Sequence, residues 1–302
     1  MATGNSSRSP LLIGNPMGTA LLRMAEQAGL DTLTQTHRYG SDILTLTSPG
    51  LVRSLYESYM EAGADVLVTN TLNSNAGFIG NADLSDRLTI EGTRLALAAA
   101  NTKSGITVAA SLGPLPHKKI LIENIRKLYR RQIRIFLEEG VEIFMVETAI
   151  SSTVAKIGAE IIAEESLRMG IDSEIIVEFT LNTDGHILSG EILGEGFTAV
   201  ENAGATVVGI NCVWPASRAC NALLDNKDTT SLPFSLRPSA APDALSSPTS
   251  PEEFSSAFIP LLSSGRLAYA GTCCWGTPSH ITALQSLKTT ELLTLLTTHS
   301  LR

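Results

Sequence analysis

Eight short β-rich runs alternate with longer segments of helical period along this chain, and that alternation admits few architectures. The runs are 11–13, 66–71, 107–111, 143–148, 174–181, 206–212, 233–236 and 267–273. Helix candidates lie between them at 49–62, 85–103, 120–139, 151–169, 194–203, 214–224 and 251–263. Ser48 is placed as an N-cap before Pro49, which suits the first helical position. Several candidates stop at a glycine, as at Gly63 and Gly140, just before the next strand. Strand–helix alternation repeated eight times over 302 residues predicts an α/β protein, a single (β/α)8 barrel spanning 1–302. A doubly wound open sheet is the runner-up. It would show a glycine-rich phosphate loop after the first strand, and Gly14-Asn15-Pro16-Met17-Gly18 matches that pattern poorly.

A hydrophobic content of 43% with 17% charged residues provides for a sizeable core and excludes global disorder. The net charge of −8 invites neither nucleic acid nor an anionic membrane. The one basic cluster, Arg126, Lys127, Arg130, Arg131 and Arg134, has the spacing of a solvated helix face. Four cysteines in so long a chain do not form a disulfide framework. Residues 1–10 read as a frayed, disordered polar terminus without a leader, and no apolar run reaches the roughly 20 residues of a spanning helix. A cytoplasmic, reducing location follows as the expectation, where thiolates persist as metal ligands. Two stretches look irregular: 32–48, a polar first loop or lid carrying His37, Arg38 and Tyr39, and 239–251, an exposed loop.

In a barrel the residues at the C-terminal ends of the strands face the active site. Asn70 and Thr71 end the second run, Glu147 the fourth, Asn211 and Cys212 the sixth, Cys273 and Cys274 the eighth. Adjacent cysteines rarely pair with each other, because their Cα atoms are too rigidly placed for disulfide geometry. Both can reach one soft metal ion. With Cys212 they would make an open zinc site of three thiolates and one free position. A cysteine such as Cys212, taken alone, also serves as a small buried hydrophobe. Glu147 follows Ile143-Phe144-Met145-Val146 and must be paired or hydrogen-bonded there. A substrate ammonium or a buried ion pair would meet that need. Cys220 lies mid-helix as a structural residue, and His280 either lines the site or sits on a helix surface. No Ser-His-Asp or Cys-His arrangement stands out.

Gly209-Ile210-Asn211-Cys212 and Gly271-Thr272-Cys273-Cys274-Trp275-Gly276-Thr277-Pro278-Ser279-His280-Ile281 resemble the two zinc motifs of the homocysteine S-methyltransferases. Met17-Gly18-Thr19, Thr69-Asn70-Thr71-Leu72-Asn73-Ser74, Ser111-Leu112-Gly113-Pro114, Val146-Glu147-Thr148 and Leu188-Ser189-Gly190 extend the resemblance over about 11–287. It implies a (β/α)8 barrel with Zn2+ on Cys212, Cys273 and Cys274, and Glu147 on the amino group of homocysteine. Asn15, Gly18 and Asn70 are the further candidate substrate-binding residues. The implied activity moves a methyl group from a small donor to a zinc-bound thiolate, giving methionine. Two alternatives stand beside it: the same chemistry on another small thiol, or a methyl-handling barrel served by a separate corrinoid protein. A homo-oligomer is also left open. The chain departs from the family in three places. Gly14-Asn15-Pro16 stands where an Asp-Gly is usual, and Pro238-Ser239-Ala240-Ala241 where Pro-Asn-Ala-Gly is common. Trp275 replaces a small residue, with a ring able to narrow the mouth or stack on a cationic donor.

Overall fold

The eight runs become β1 (Leu11–Gly14), β2 (Val66–Val68), β3 (Thr107–Leu112), β4 (Ile143–Ala149), β5 (Glu174–Phe179), β6 (Val207–Asn211), β7 (Phe234–Arg237) and β8 (Leu267–Gly271) of a computed structural model. Each strand pairs in parallel with the next, and β1 pairs with β8, so the sheet is a closed barrel. The structure describes residues 9–30, 38–115, 121–213, 215–241, 243 and 247–299, with side chains through 290. Helices Pro49–Glu61, Ala82–Ala100, Ile122–Glu138, Ser152–Met169, Leu193–Glu201 and Ala216–Asp225 follow the strands in turn, as the sequence pattern predicts. Pro278–His299 follows β8. The basic face of Ile122–Glu138 is solvated and paired: Arg126 with Glu160, Arg130 and Arg134 with Glu165, Arg131 with Asp86. Among the described residues no helix is long and apolar enough to cross a membrane.

Several expectations need correction. Segment 251–263 is two helices, Pro251–Ser256 and Ile259–Ser263, and Gly18–Gln27 and Ala76–Ile79 form helices that the pattern did not announce. Of the expected loop or lid at 32–48, residues 32–37, His37 among them, lie outside the described residues; within 38–48, Ser41–Ile43 forms a 3-10 turn and Leu44–Thr47 a helical turn. These residues fold inward because Asp42, fully buried, accepts hydrogen bonds from Asn73 N (2.8 Å) and Ser74 Oγ (2.7 Å). Ile43 also joins Ile79 and Leu88 in a small apolar cluster. The expected exposed loop at 239–251 starts buried at Ser239, Ala240 and Ala241 and is exposed at Asp243, Ser247, Pro248 and Ser250. Of the terminus expected to be disordered, residues 1–8 lie outside the described set, and Pro10 is buried.

Strand side chains alternate between the two faces of a sheet, and here the two faces build different cores. One set, including Leu12, Val108, Phe144, Val177, Ile210 and Leu236, packs outward with the helices. The other, Ile13, Val66, Val68, Ala109, Met145, Ile176, Val207 and Tyr269, fills the lower barrel. Two residues further along β3, β4, β5 and β7 the inward positions turn polar: Ser111, Glu147, Glu178, Ser235 and Arg237, all buried. The barrel is thus an apolar plug below and a hydrogen-bonded polar layer above, at the end where active sites form.

Candidate metal centre and active site

β6 and β8 deliver the three sulfurs. Asn211 is the last residue of β6, and Cys212 follows it with φ +55°, a left-handed backbone uncommon for a side-chain-bearing residue. Thr148 on β4 has φ +54° as well. Such strain costs on the order of 1–3 kcal/mol per residue and persists where surrounding structure over-determines it. Asn211 does so here. Its Oδ1 accepts from Thr148 N and its Nδ2 donates to Thr148 Oγ1, each at 2.9 Å, clamping the ends of β4 and β6 together. β8 ends at Gly271, so Cys273 and Cys274 lie in the loop after it. That loop is tied to β7's exit, with Cys273 N donating to Pro238 O and Ala240 N to Cys274 O, both at 2.8 Å.

The Cys212 and Cys273 sulfurs lie against each other, with Cα atoms 5.3 Å apart, and Cys274 stands beside them. The three sulfurs all lie within 4.8 Å of one another. Tetrahedral zinc with Zn–S near 2.3 Å needs thiolate sulfurs ~3.8 Å apart, a spacing that small side-chain rotations reach. Soft thiolates in this number suit zinc with one open position, so the residues present fit that ion. Burial pushes the Cys274 thiol up, Glu147 adds to this, and the Ser239 contact opposes it.

A cavity of about 110 Å³ opens beside the sulfurs. Cys212, Cys273, Cys274, Glu147, Asn15, Gly18 and Asn70, the seven candidates from sequence, all line it. Their polar atoms are not equally available. Asn15 Oδ1 accepts from Met17 N at 2.6 Å, and Asn70 Nδ2 donates to Ser41 O (3.2 Å) and Thr45 Oγ1 (3.1 Å). Asn70 therefore holds the Ser41–Ile43 turn over the cavity. A Cβ at Gly18 would sit 3.3 Å from Ser41 Oγ, so a side chain there would press on the turn. Among the described residues Glu147 is the one carboxylate on the wall. Its Oε1 accepts from Ser111 Oγ, and its Oε2 from Arg237 Nη2 at 2.8 Å.

Arg237 and its second partner, Glu178, were not picked out from sequence. Glu178 stands behind Ile175-Ile176-Val177 as Glu147 stands behind Phe144-Met145-Val146, which is the signal that could have found it. Arg237 closes a short apolar strand and points inward. Two other residues fall away from the site. His280 is buried against Thr277 and Thr249, with Nδ1 2.8 Å from Thr277 Oγ1 and Nε2 3.0 Å from Thr249 O. Trp275 is 42% exposed and does not border the cavity. A larger open groove, about 520 Å³, lies outside the barrel between 251–259 and 279–290 and holds none of the candidate residues.

The profile of the homocysteine S-methyltransferase family matches residues 14–287. The chain belongs to this family. Among curated relatives, methionine synthase of Mycobacterium tuberculosis is 28% identical over 259 residues, covering 80% of this chain and 22% of that protein. Methionine synthase of Mycobacterium leprae is 26% identical, covering 80% and 21%. The chain thus spans about a fifth of the length of the curated relatives it matches. Among solved structures, the metallated form of the homocysteine methyltransferase MmuM from Escherichia coli superposes with a TM-score of 0.75. It is 21% identical over 92% of this chain and 96% of that one, a likeness of fold.

Proposed function

We propose that this homocysteine S-methyltransferase family member methylates the thiol of homocysteine, giving methionine, with zinc on Cys212, Cys273 and Cys274. The observation that carries the reading is one small cavity bordered, among the described residues, by three clustered sulfurs and the carboxylate of Glu147. A free thiol is mostly protonated at neutral pH, and its thiolate is the nucleophile. Zinc, when bound, supplies the Lewis acidity that removes that proton. The rest is the chain's own work. Glu147, fixed on Oε1 by Ser111 and on Oε2 by Arg237, offers its charge to the substrate ammonium. Asn15 and Gly18 line the same cavity, and Asn70 holds the Ser41–Ile43 turn in place. Held at its sulfur and amino ends together, a small amino-acid thiol is oriented for in-line attack on a methyl carbon bonded to a positively polarised nitrogen or sulfur, or to cobalt.

The test uses protein purified under reducing conditions. Metal analysis should give about one zinc per chain, and Cys273→Ser should abolish it. Incubation with homocysteine and each of betaine, S-methylmethionine and a methyl-corrinoid protein should yield methionine with one donor. Fully zinc-loaded protein that forms none with any of them would sink the proposal. One observation favours a second reading, the same chemistry on another small thiol: Glu147 is already ion-paired. Methylation of a different thiol in the same assay, with homocysteine untouched, would select it.

A further inference from the structure

We infer that Arg237 is a positioning residue that fixes the orientation of Glu147 and thereby selects thiols bearing an ammonium group. The inference rests on reading this cavity as the thiol site. Arg237 is fully buried, and its stem fits because β8 offers Gly271 opposite. A Cβ there would lie 3.3 Å from Arg237 Cγ and 2.9 Å from Ile13 O. The guanidinium grips two carboxylates at once. Nε donates to Glu178 Oε1 and Oε2 at 3.0 and 2.9 Å, while Nη2 reaches Glu178 Oε2 and also Glu147 Oε2 at 2.8 Å. Ser235 Oγ completes Glu178 at 2.6 Å, and Ser111 completes Glu147. Nη1 has no partner among the described residues, so the side chain is not placed to complete its own hydrogen bonding. It is placed by Nε and Nη2, on the carboxylates.

Charge gives the arrangement its consequence. Two acidic side chains share one guanidinium, so with both ionised the cluster carries one negative charge in excess. Of the three groups Glu147 borders the cavity, and among the described residues no cationic side chain does. An unbalanced buried carboxylate is costly, so an entering ammonium is the group that balances it. Only a planar fork bridges both carboxylates this way; a lysine would bring the charge without the geometry. Without the cation, Glu147 loses its anchor and the two carboxylates repel one another, so the charge offered to the substrate is no longer fixed.

Calorimetric titration of reduced, zinc-loaded protein tests this without knowledge of the methyl donor. Homocysteine is compared with 4-mercaptobutyrate, which keeps the thiol and carboxylate and lacks the amino group. Wild type should prefer homocysteine by about tenfold or more, as expected for a charge-assisted contact in a buried site. Arg237→Met should lose homocysteine affinity and shrink that preference to within about threefold, with 4-mercaptobutyrate and zinc content little changed. Arg237→Lys, the gentler variant if the first fails to fold, should fall between. A preference retained by both variants, or an equal loss for both thiols, overturns the role of Arg237 alone. A wild type without preference overturns the reading of the cavity, and this inference with it.

Discussion

Glu147 carries more obligations than any other side chain at this site. It borders the cavity, accepts from Ser111 and is ion-paired with Arg237. Burial pulls the Arg237 guanidinium down, but Glu178 and Glu147 more than offset that, so it stays charged and its pKa is raised. Burial pushes Glu178 up, against the pull of Arg237 and Ser235. A neutral amide at position 147 therefore separates shape from charge. Glu147→Gln keeps an oxygen for Arg237 and can donate to Ser111, so the barrel should fold and bind zinc as before. What it loses is the charge offered to the substrate. A charge-assisted hydrogen bond is worth about 2 kcal/mol, so homocysteine affinity should fall about thirtyfold. Calorimetric titration beside metal analysis checks this, and unchanged affinity at full zinc would remove Glu147 from the substrate's contacts.

The Ser41–Ile43 turn and Leu44–Thr47 form an element held by polar contacts rather than by a hydrophobic stripe, which makes it sensitive to pH. Burial pushes Asp42 up to about 7 from an ordinary 3.8, against the opposing hydrogen bonds of Ser74 and Asn73. Between those values the folded chain keeps a proton that the unfolded chain has lost. Stability contributed by this group is therefore greatest below about pH 4, declines as pH rises through 4–7, and levels off above. At about 1.4 kcal/mol per pH unit the total is a few kcal/mol. Asp42→Asn retains an acceptor for Asn73 N and Ser74 Oγ and removes the titration. Its melting temperature relative to wild type should rise from pH 4 to about pH 7 and then level off, and a pH-independent difference would count against the buried acid. The same element explains what sequence could and could not disclose. All eight strands were legible because apolar runs stand out between helical periods. The sulfurs were legible because Cys212 and the Cys273–Cys274 pair fall where those runs end. Residues 41–47 were not, since Ser41, Asp42 and Thr45 look like loop chemistry until Asn73, Ser74 and Asn70 are seen to meet them. Arg237 was hidden for a related reason. Its partners lie 59 and 90 residues away in the chain, and only closure of the barrel brings them to it.

At the scale of the whole molecule, the cysteines tie together staves that do not touch. β6 and β8 are separated by β7, yet Cys212 and the Cys273–Cys274 pair meet above it. The barrel does not need a metal to close, because its ladder of backbone hydrogen bonds is continuous from β1 round to β8. Zinc should therefore act as a clamp on a fold that already exists, binding the native chain and not the unfolded one. Linkage makes that clamp measurable: at zinc a hundredfold above its dissociation constant the native state gains about 2.7 kcal/mol. For a domain of this size such a gain raises the melting temperature by about 5 °C. Reduced, chelator-treated protein should accordingly keep its secondary structure, melt lower, and recover on zinc addition in a concentration-dependent way. Cys273→Ser, with one sulfur missing from the β8 side, should melt near the metal-free value and fail to respond. If the variant shifted as much as wild type, the stabilising ion would be bound elsewhere on the barrel, and the three sulfurs would lose their claim to it.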